Sequence, residues 1–399
     1  MKLKTYIFLS FLTLASFACD KDSDPIDPTI EEQQLVSYTL MQEYPLANLQ
    51  LLVSLIPDNP YANSLRYSVS IYKVVYKTTY KNEVIEASGV LYLPQNLAEP
   101  GPLLSLQHGT AFRKNDAPSA NTDFNGFELF AAAGYITFMP DYIGYGASAD
   151  NVHPYYDQEH SALAVIDLLK AGKEILDAEN VEASGQVFLA GYSEGGYVTM
   201  AAAREIEEEP AHGLTLTAIA AGAGGYDLVH MLEGVKTNSF YSYPAYFAFL
   251  LNGYRVTYDW DKPLSYFFQE PYASQIPTLL DGTQGGSYIN SNLTTDLNAL
   301  FDPGFYNRLK SNEEAQLQQA LMSNSFRDYS PQVPTRLYHG TADTTVPLEN
   351  SQNTFDRFIE NGSESVELIV IPNGTHSSSL LPMIQSLFPW FEDLRNDNA

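Results

Sequence analysis

Short apolar runs that alternate with helix-forming stretches constrain this chain more than any other feature. Leu103–Leu106, Ile136–Met139, Val187–Ala190, Leu216–Ala220, Arg336–Tyr338 and Val366–Ile371 are each only a few residues long. Stretches such as Glu159–Leu176 and Tyr197–Glu208 separate them. Runs of that length bounded by Gly and Pro predict strands buried on both faces. Strands alternating with helices predict an α/β fold with a doubly wound, mostly parallel sheet. Tyr67–Leu93, rich in β-branched and aromatic residues with Lys81-Asn82 at its centre, predicts two antiparallel strands ahead of them.

The alternation stops between Gly225 and Ser330. That stretch is crowded with aromatics such as Phe240, Tyr241, Tyr246, Phe247, Trp260 and Phe268. It predicts an inserted, mostly helical cap, whose aromatics form either the cap's own core or a substrate groove. The expected division is 67–224 for the first part of the core, 225–330 for the cap and 331–399 for the rest of the core. Residues 30–66 read as helical.

The N-terminus reads as an address. Lys2 and Lys4 precede an apolar run, Tyr6–Phe17, of about twelve residues, too short to span a bilayer and suited to a signal peptide. It ends at Ser16-Phe17-Ala18-Cys19, which resembles the lipobox of bacterial lipoproteins. That resemblance implies a signal peptide over 1–18, lipidation of Cys19 and a tether within 19–66. The expected location is the cell envelope at the outer membrane, held by an N-terminal lipid anchor. Cys19 is the only cysteine, so no disulfide framework exists. The net charge of −27 disfavours a nucleic acid partner, because phosphate backbones are held by Lys and Arg.

The chemistry concentrates at Gly191-Tyr192-Ser193-Glu194-Gly195-Gly196. This Gly-x-Ser-x-Gly follows the Val187–Ala190 run and precedes the Tyr197–Glu208 helix. Strand, strained turn and helix together make a nucleophile elbow, in which glycines relieve crowding between strand and helix. A serine hydroxyl needs a base and an orienting acid. His376, in the loop after Val366–Ile371, is the expected base. Asp343, in the turn-rich loop after Arg336–Tyr338, is the expected acid, an ordinary turn aspartate being the alternative. His339 reads as structural, and Glu349 and Asp356 fall on the next helix. The oxyanion donors are expected to be the Glu194 N–H and an N–H of Gly109 or Thr110, with Thr110 preferred. His108 reads as a brace for that loop.

On these residues the chain resembles the α/β-hydrolases, and within them the secretory lipase family and related bacterial esterases. The motifs that carry it are Gly89–Pro94, Gln107-His108-Gly109, Pro140–Gly146, Gly191–Gly196 and Gly340–Pro347. The resemblance implies ester hydrolysis through an acyl-enzyme, with a helical lid over the acyl site. A small-molecule, lipid or carbohydrate ester is the expected substrate. A serine peptidase on the same fold and a non-catalytic glycan- or lipid-binding lipoprotein are the competing readings. The sequence contains no phosphate-binding Gly loop and no metal-ligand cluster, so no cofactor or metal is expected.

Overall fold

The structure is a computed structural model that describes residues 33–55, 61 and 63–397. The expected signal peptide and Cys19 lie outside the described residues. Nine strands form one sheet: β1 (Leu35–Tyr44), β2 (Val69–Tyr80), β3 (Glu83–Pro94), β4 (Gly101–Gln107), β5 (Ile136–Pro140), β6 (Ala183–Tyr192), β7 (Leu216–Gly222), β8 (Thr335–Gly340) and β9 (Val366–Ile371). Their order across the sheet is β1-β2-β3-β5-β4-β6-β7-β8-β9. The first three strands and the β3–β5 pair are antiparallel, and every pair from β5 to β9 is parallel.

The mostly parallel sheet expected from the alternation is present. β4 and β5 are buried along their whole length, as strands covered on both faces must be. β9 differs from that expectation. It is the sheet edge, and only Val366 is fully buried. Lys81 and Asn82 both take positive φ (53° and 62°), which gives the two-residue turn between β2 and β3.

Residues 30–66 were expected to be helical, and the structure corrects this. Among the described residues there, only Leu46–Ser54 forms a helix, α1, and β1 precedes it. β1 pairs with β2 through register shifts at Leu35/Ser37 and Leu40/Gln42. Each irregularity inserts a residue, so the sheltered side chains fall at Leu35, Tyr38, Met41 and Tyr44, three apart. A bulged strand therefore carries a period close to that of a helix.

Between β5 and β7, α3 (Gln158–Glu179) and α4 (Glu194–Glu208) pack against the sheet, after the short α2 (Glu128–Ala132). Asp157 caps α3 by accepting from the His160 N–H, and Asn180 ends it in the left-handed conformation. Between β7 and β8 lie α5 (Leu228–Thr237), α6 (Pro244–Thr257), α7 (Leu264–Phe267), α8 (Tyr272–Leu279), α9 (Gly286–Asn292), α10 (Leu297–Leu300), α11 (Pro303–Lys310) and α12 (Ala315–Ser323). Their aromatics divide between two roles. Tyr254, Phe267 and Phe268 are fully buried core, whereas Tyr241, Tyr246 and Phe247 face a cavity. After β8 come α13 (Leu348–Glu360) and, following β9, α14 (Leu380–Asp397).

Candidate active site

The chain leaves β4 toward β5 on one side and reaches β6 on the other, so the strand order reverses between β4 and β6. Ligands in open α/β sheets bind outside the carboxyl ends of the strands at such a point. Gln107 ends β4 and Tyr192 ends β6, which brings the 108–110 loop beside Ser193. A Cβ placed on Gly109 would sit 3.6 Å from the Ser193 Cβ.

Ser193 takes φ 61° and ψ −124°, a conformation that L-residues rarely adopt. The surrounding glycines make it possible. A Cβ on Gly191 would lie 2.2 Å from the Gly195 carbonyl oxygen, on Gly195 2.0 Å from that of Gln107, and on Gly196 2.4 Å from that of Gly222. Strand and helix approach so closely that no side chain fits between them.

His376 Nε2 lies 2.8 Å from Ser193 Oγ, and His376 Nδ1 lies 2.7 Å from Asp343 Oδ2. The other carboxylate oxygen of Asp343 accepts from the N–H groups of Thr345 (2.8 Å) and Val346 (3.0 Å). Burial by itself would raise the Asp343 pKa. Contacts with His339 and His376 and the Val346 N–H outweigh it and hold the carboxyl well below the usual carboxylate range. An ionised Asp343 fixes the proton of His376 on Nδ1 and leaves Nε2 free to accept from the serine hydroxyl.

The structure thus brings Ser193, Asp343 and His376 together in one chain of hydrogen bonds. Glu349 lies on α13, as expected. His339 was read as structural. It does bond the Ser351 hydroxyl and the Val346 carbonyl, but its Nε2 also lies 3.4 Å from Asp343 Oδ2. The N–H groups of Glu194, Gly109 and Thr110 have no protein acceptor among the described residues. Glu194 begins α4, where backbone N–H groups and a partial positive charge converge.

The Pro140–Gly146 motif reaches the 108–111 loop through two of its tyrosines. The Tyr142 hydroxyl donates to the His108 carbonyl (2.8 Å), and that of Tyr145 donates to the Ala111 carbonyl. His108 itself stacks on Tyr142 with ring centroids 4.2 Å apart. Two tyrosines therefore hold both flanks of Gly109–Thr110. The Pro140–Gly146 motif was visible, but nothing local showed where those hydroxyls point.

A cavity of about 520 Å³ runs from Ser193 into the cap. Tyr241, Tyr246, Phe247, Leu250 and Phe301 are among its mostly apolar lining, and Thr344 and Thr345 close it beside Asp343. Among the described residues, no cluster of His, Cys, Asp and Glu could hold a metal ion.

A mostly parallel sheet with a strained serine at its switch point defines an α/β-hydrolase fold. The secretory lipase family matches residues 123–398, and the chain belongs to that family. It is similar to a putative hydrolase from Legionella pneumophila, with 26% identity and a TM-score of 0.82 over 92% of this chain and 99% of that one. It is also similar to the rice cell wall degrading esterase LipA from Xanthomonas oryzae, with 26% identity and a TM-score of 0.77 over 89% and 96%. The closed state of Candida antarctica lipase A shares the fold at 14% identity and a TM-score of 0.70, over 92% of this chain and 83% of that one. Lipase 10 of Candida albicans is 23% identical over 65% of this chain, which spans about half (55%) of that relative's length.

Proposed function

We propose that this protein is a serine hydrolase that cleaves carboxylic esters with an apolar acyl group through an acyl-enzyme. The observation that carries the reading is the Ser193–His376–Asp343 chain of hydrogen bonds opening onto an apolar cavity. Ser193 Oγ attacks the ester carbonyl while His376 Nε2 takes its proton. The Glu194 N–H and the Thr110 or Gly109 N–H stabilise the oxyanion. His376 then returns the proton to the leaving alcohol as the carbon–oxygen bond breaks. Water attacks the acyl-enzyme by the same route and releases the acid.

Membership of the secretory lipase family and the likeness to an esterase of Xanthomonas oryzae support an ester over a peptide bond. The mostly apolar lining favours an acyl chain over a sugar ring, which would need polar partners.

A fluorophosphonate probe tests the nucleophile: it is expected to label the wild type and not Ser193→Ala. Labelling of neither, with no ester turnover, would return the protein to the binding-lipoprotein reading. Aryl esters from acetyl to palmitoyl, run beside aminoacyl amides, separate esterase, lipase and peptidase. The leader reading is part of the same proposal, with cleavage after residue 18 and lipidation of Cys19. Palmitate labelling that is lost in Cys19→Ala tests it.

A further inference from the structure

Glu194 carries a buried carboxyl that the mechanism above does not use. The residue is 1% exposed, and its Oε1 lies 2.7 Å from His153 Nε2. Its Oε2 has no protein partner among the described residues. Burying a carboxyl that is only half satisfied costs stability, so its presence calls for an explanation.

His153 supplies one. Its Nδ1 lies 2.8 Å from the Ile143 carbonyl, an acceptor, so Nδ1 carries a hydrogen. Nε2 faces the Glu194 carboxyl at 2.7 Å, so a proton between them makes the one hydrogen bond that Oε1 receives. The imidazole is also fixed in place. It lies nearly parallel to Tyr142 (centroids 6.0 Å apart, 20°) and packs on Phe249 at 5.5 Å. A Cβ on Gly144 would come within 2.8 Å of the His153 backbone.

Ile143 and Gly144 belong to the loop whose Tyr142 and Tyr145 hydroxyls hold the carbonyls of His108 and Ala111. A continuous path of contacts therefore joins one proposed oxyanion donor, the Glu194 N–H, to the loop that carries the other. We propose that Glu194 and His153 form a positioning brace that fixes the spacing between the two sides of the oxyanion site. This rests on the Ser193 reading above.

Glu194→Met tests the brace, since it keeps the bulk and cannot hydrogen-bond. The expected result is a kcat on a short aryl ester at least tenfold lower, with KM changed less than threefold. Inhibition by an aryl boronic acid, whose tetrahedral adduct on Ser193 places an oxygen at the oxyanion site, should weaken in parallel. Losing a donor outright costs roughly 100- to 1000-fold, so misplacing one falls below that. In Glu194→Gln the side-chain amide can donate to the neutral imidazole Nε2, and kcat is expected to exceed that of Glu194→Met at least threefold. A purely structural role would lower thermal stability without this split between kcat and KM.

A Glu194→Met kcat within threefold of wild type, or equal losses in the Met and Gln variants, overturns the brace. Should Glu194→Met lack a cooperative thermal transition, His153→Phe, which fills the same ring stack, replaces it with the same expectation. Fluorophosphonate labelling separates the two claims. Wild type that takes up no probe overturns the Ser193 reading, whereas labelled variants with unchanged kcat overturn only the brace.

Discussion

Asp343 Oδ2 is shared by two imidazoles, His376 at 2.7 Å and His339 at 3.4 Å, while Oδ1 accepts two backbone N–H groups. The carboxylate is thereby fixed in orientation and kept ionised inside the protein. Replacing it with asparagine alters the hydrogen bonding more than the shape. An amide N–H directed at His376 Nδ1 would favour the tautomer whose Nε2 carries the hydrogen, which cannot accept from Ser193. Asp343→Asn is expected to lower kcat by about 10³- to 10⁴-fold, with an unchanged far-UV circular dichroism spectrum. Wild-type turnover in that variant would remove Asp343 from the mechanism.

The same carboxyl predicts a pH dependence of stability. Its pKa is lower in the folded protein than in the unfolded chain, where about 3.9 is usual. The folded state therefore binds that proton less readily. The stabilisation is fully present above pH ~4 and is lost as pH falls through the lower folded value. Urea unfolding midpoints of wild type and Asp343→Asn are expected to differ most at pH 6 and to draw steadily closer as pH falls from 4 to 2. A difference that stays constant from pH 6 to pH 2 would contradict this assignment.

Gly195 tests the elbow's geometry. An added methyl would lie 2.0 Å from the Gln107 carbonyl oxygen and 2.8 Å from that of His108, both backbone atoms of the loop beside Ser193. Neither can move without disturbing β4. Gly195→Ala is expected to destabilise the fold by about 3 kcal/mol or more and to abolish fluorophosphonate labelling. A variant with wild-type melting and labelling would mean that a methyl fits between helix and strand at this position.

The elbow was legible because a local pattern encodes it: a strand, a turn that only glycines permit, and a helix within a short stretch. Asp343 and His376 were legible because each follows a strand, and chain order leaves few other candidates. β1 was not, because its irregular pairing moves the sheltered positions to every third residue and imitates a helix. The His153–Glu194 and Tyr142–His108 contacts were also invisible. Each joins residues more than 30 positions apart through side-chain directions that only tertiary packing sets. The cap's aromatics divided between core and cavity for the same reason.

The cavity yields the last prediction. Leu250 on α6 is partly buried and lines the space that begins at Ser193. Neighbouring Ala248 and Leu251 are buried, whereas Leu250 is partly open beside the cavity, so a larger side chain at 250 can extend into that space. A tryptophan there would occupy part of the 520 Å³ and shorten the space left for an acyl chain. The hydrogen bonds among Ser193, His376 and Asp343 do not involve α6, so chemistry at the carbonyl is left intact. Leu250→Trp is expected to keep kcat/KM for an aryl acetate within about threefold of wild type. For the palmitoyl ester, kcat/KM should fall at least tenfold, because the chain must lose apolar contacts worth about 0.8 kcal/mol per methylene. Equal losses on both esters would mean that the acyl chain does not lie in this cavity.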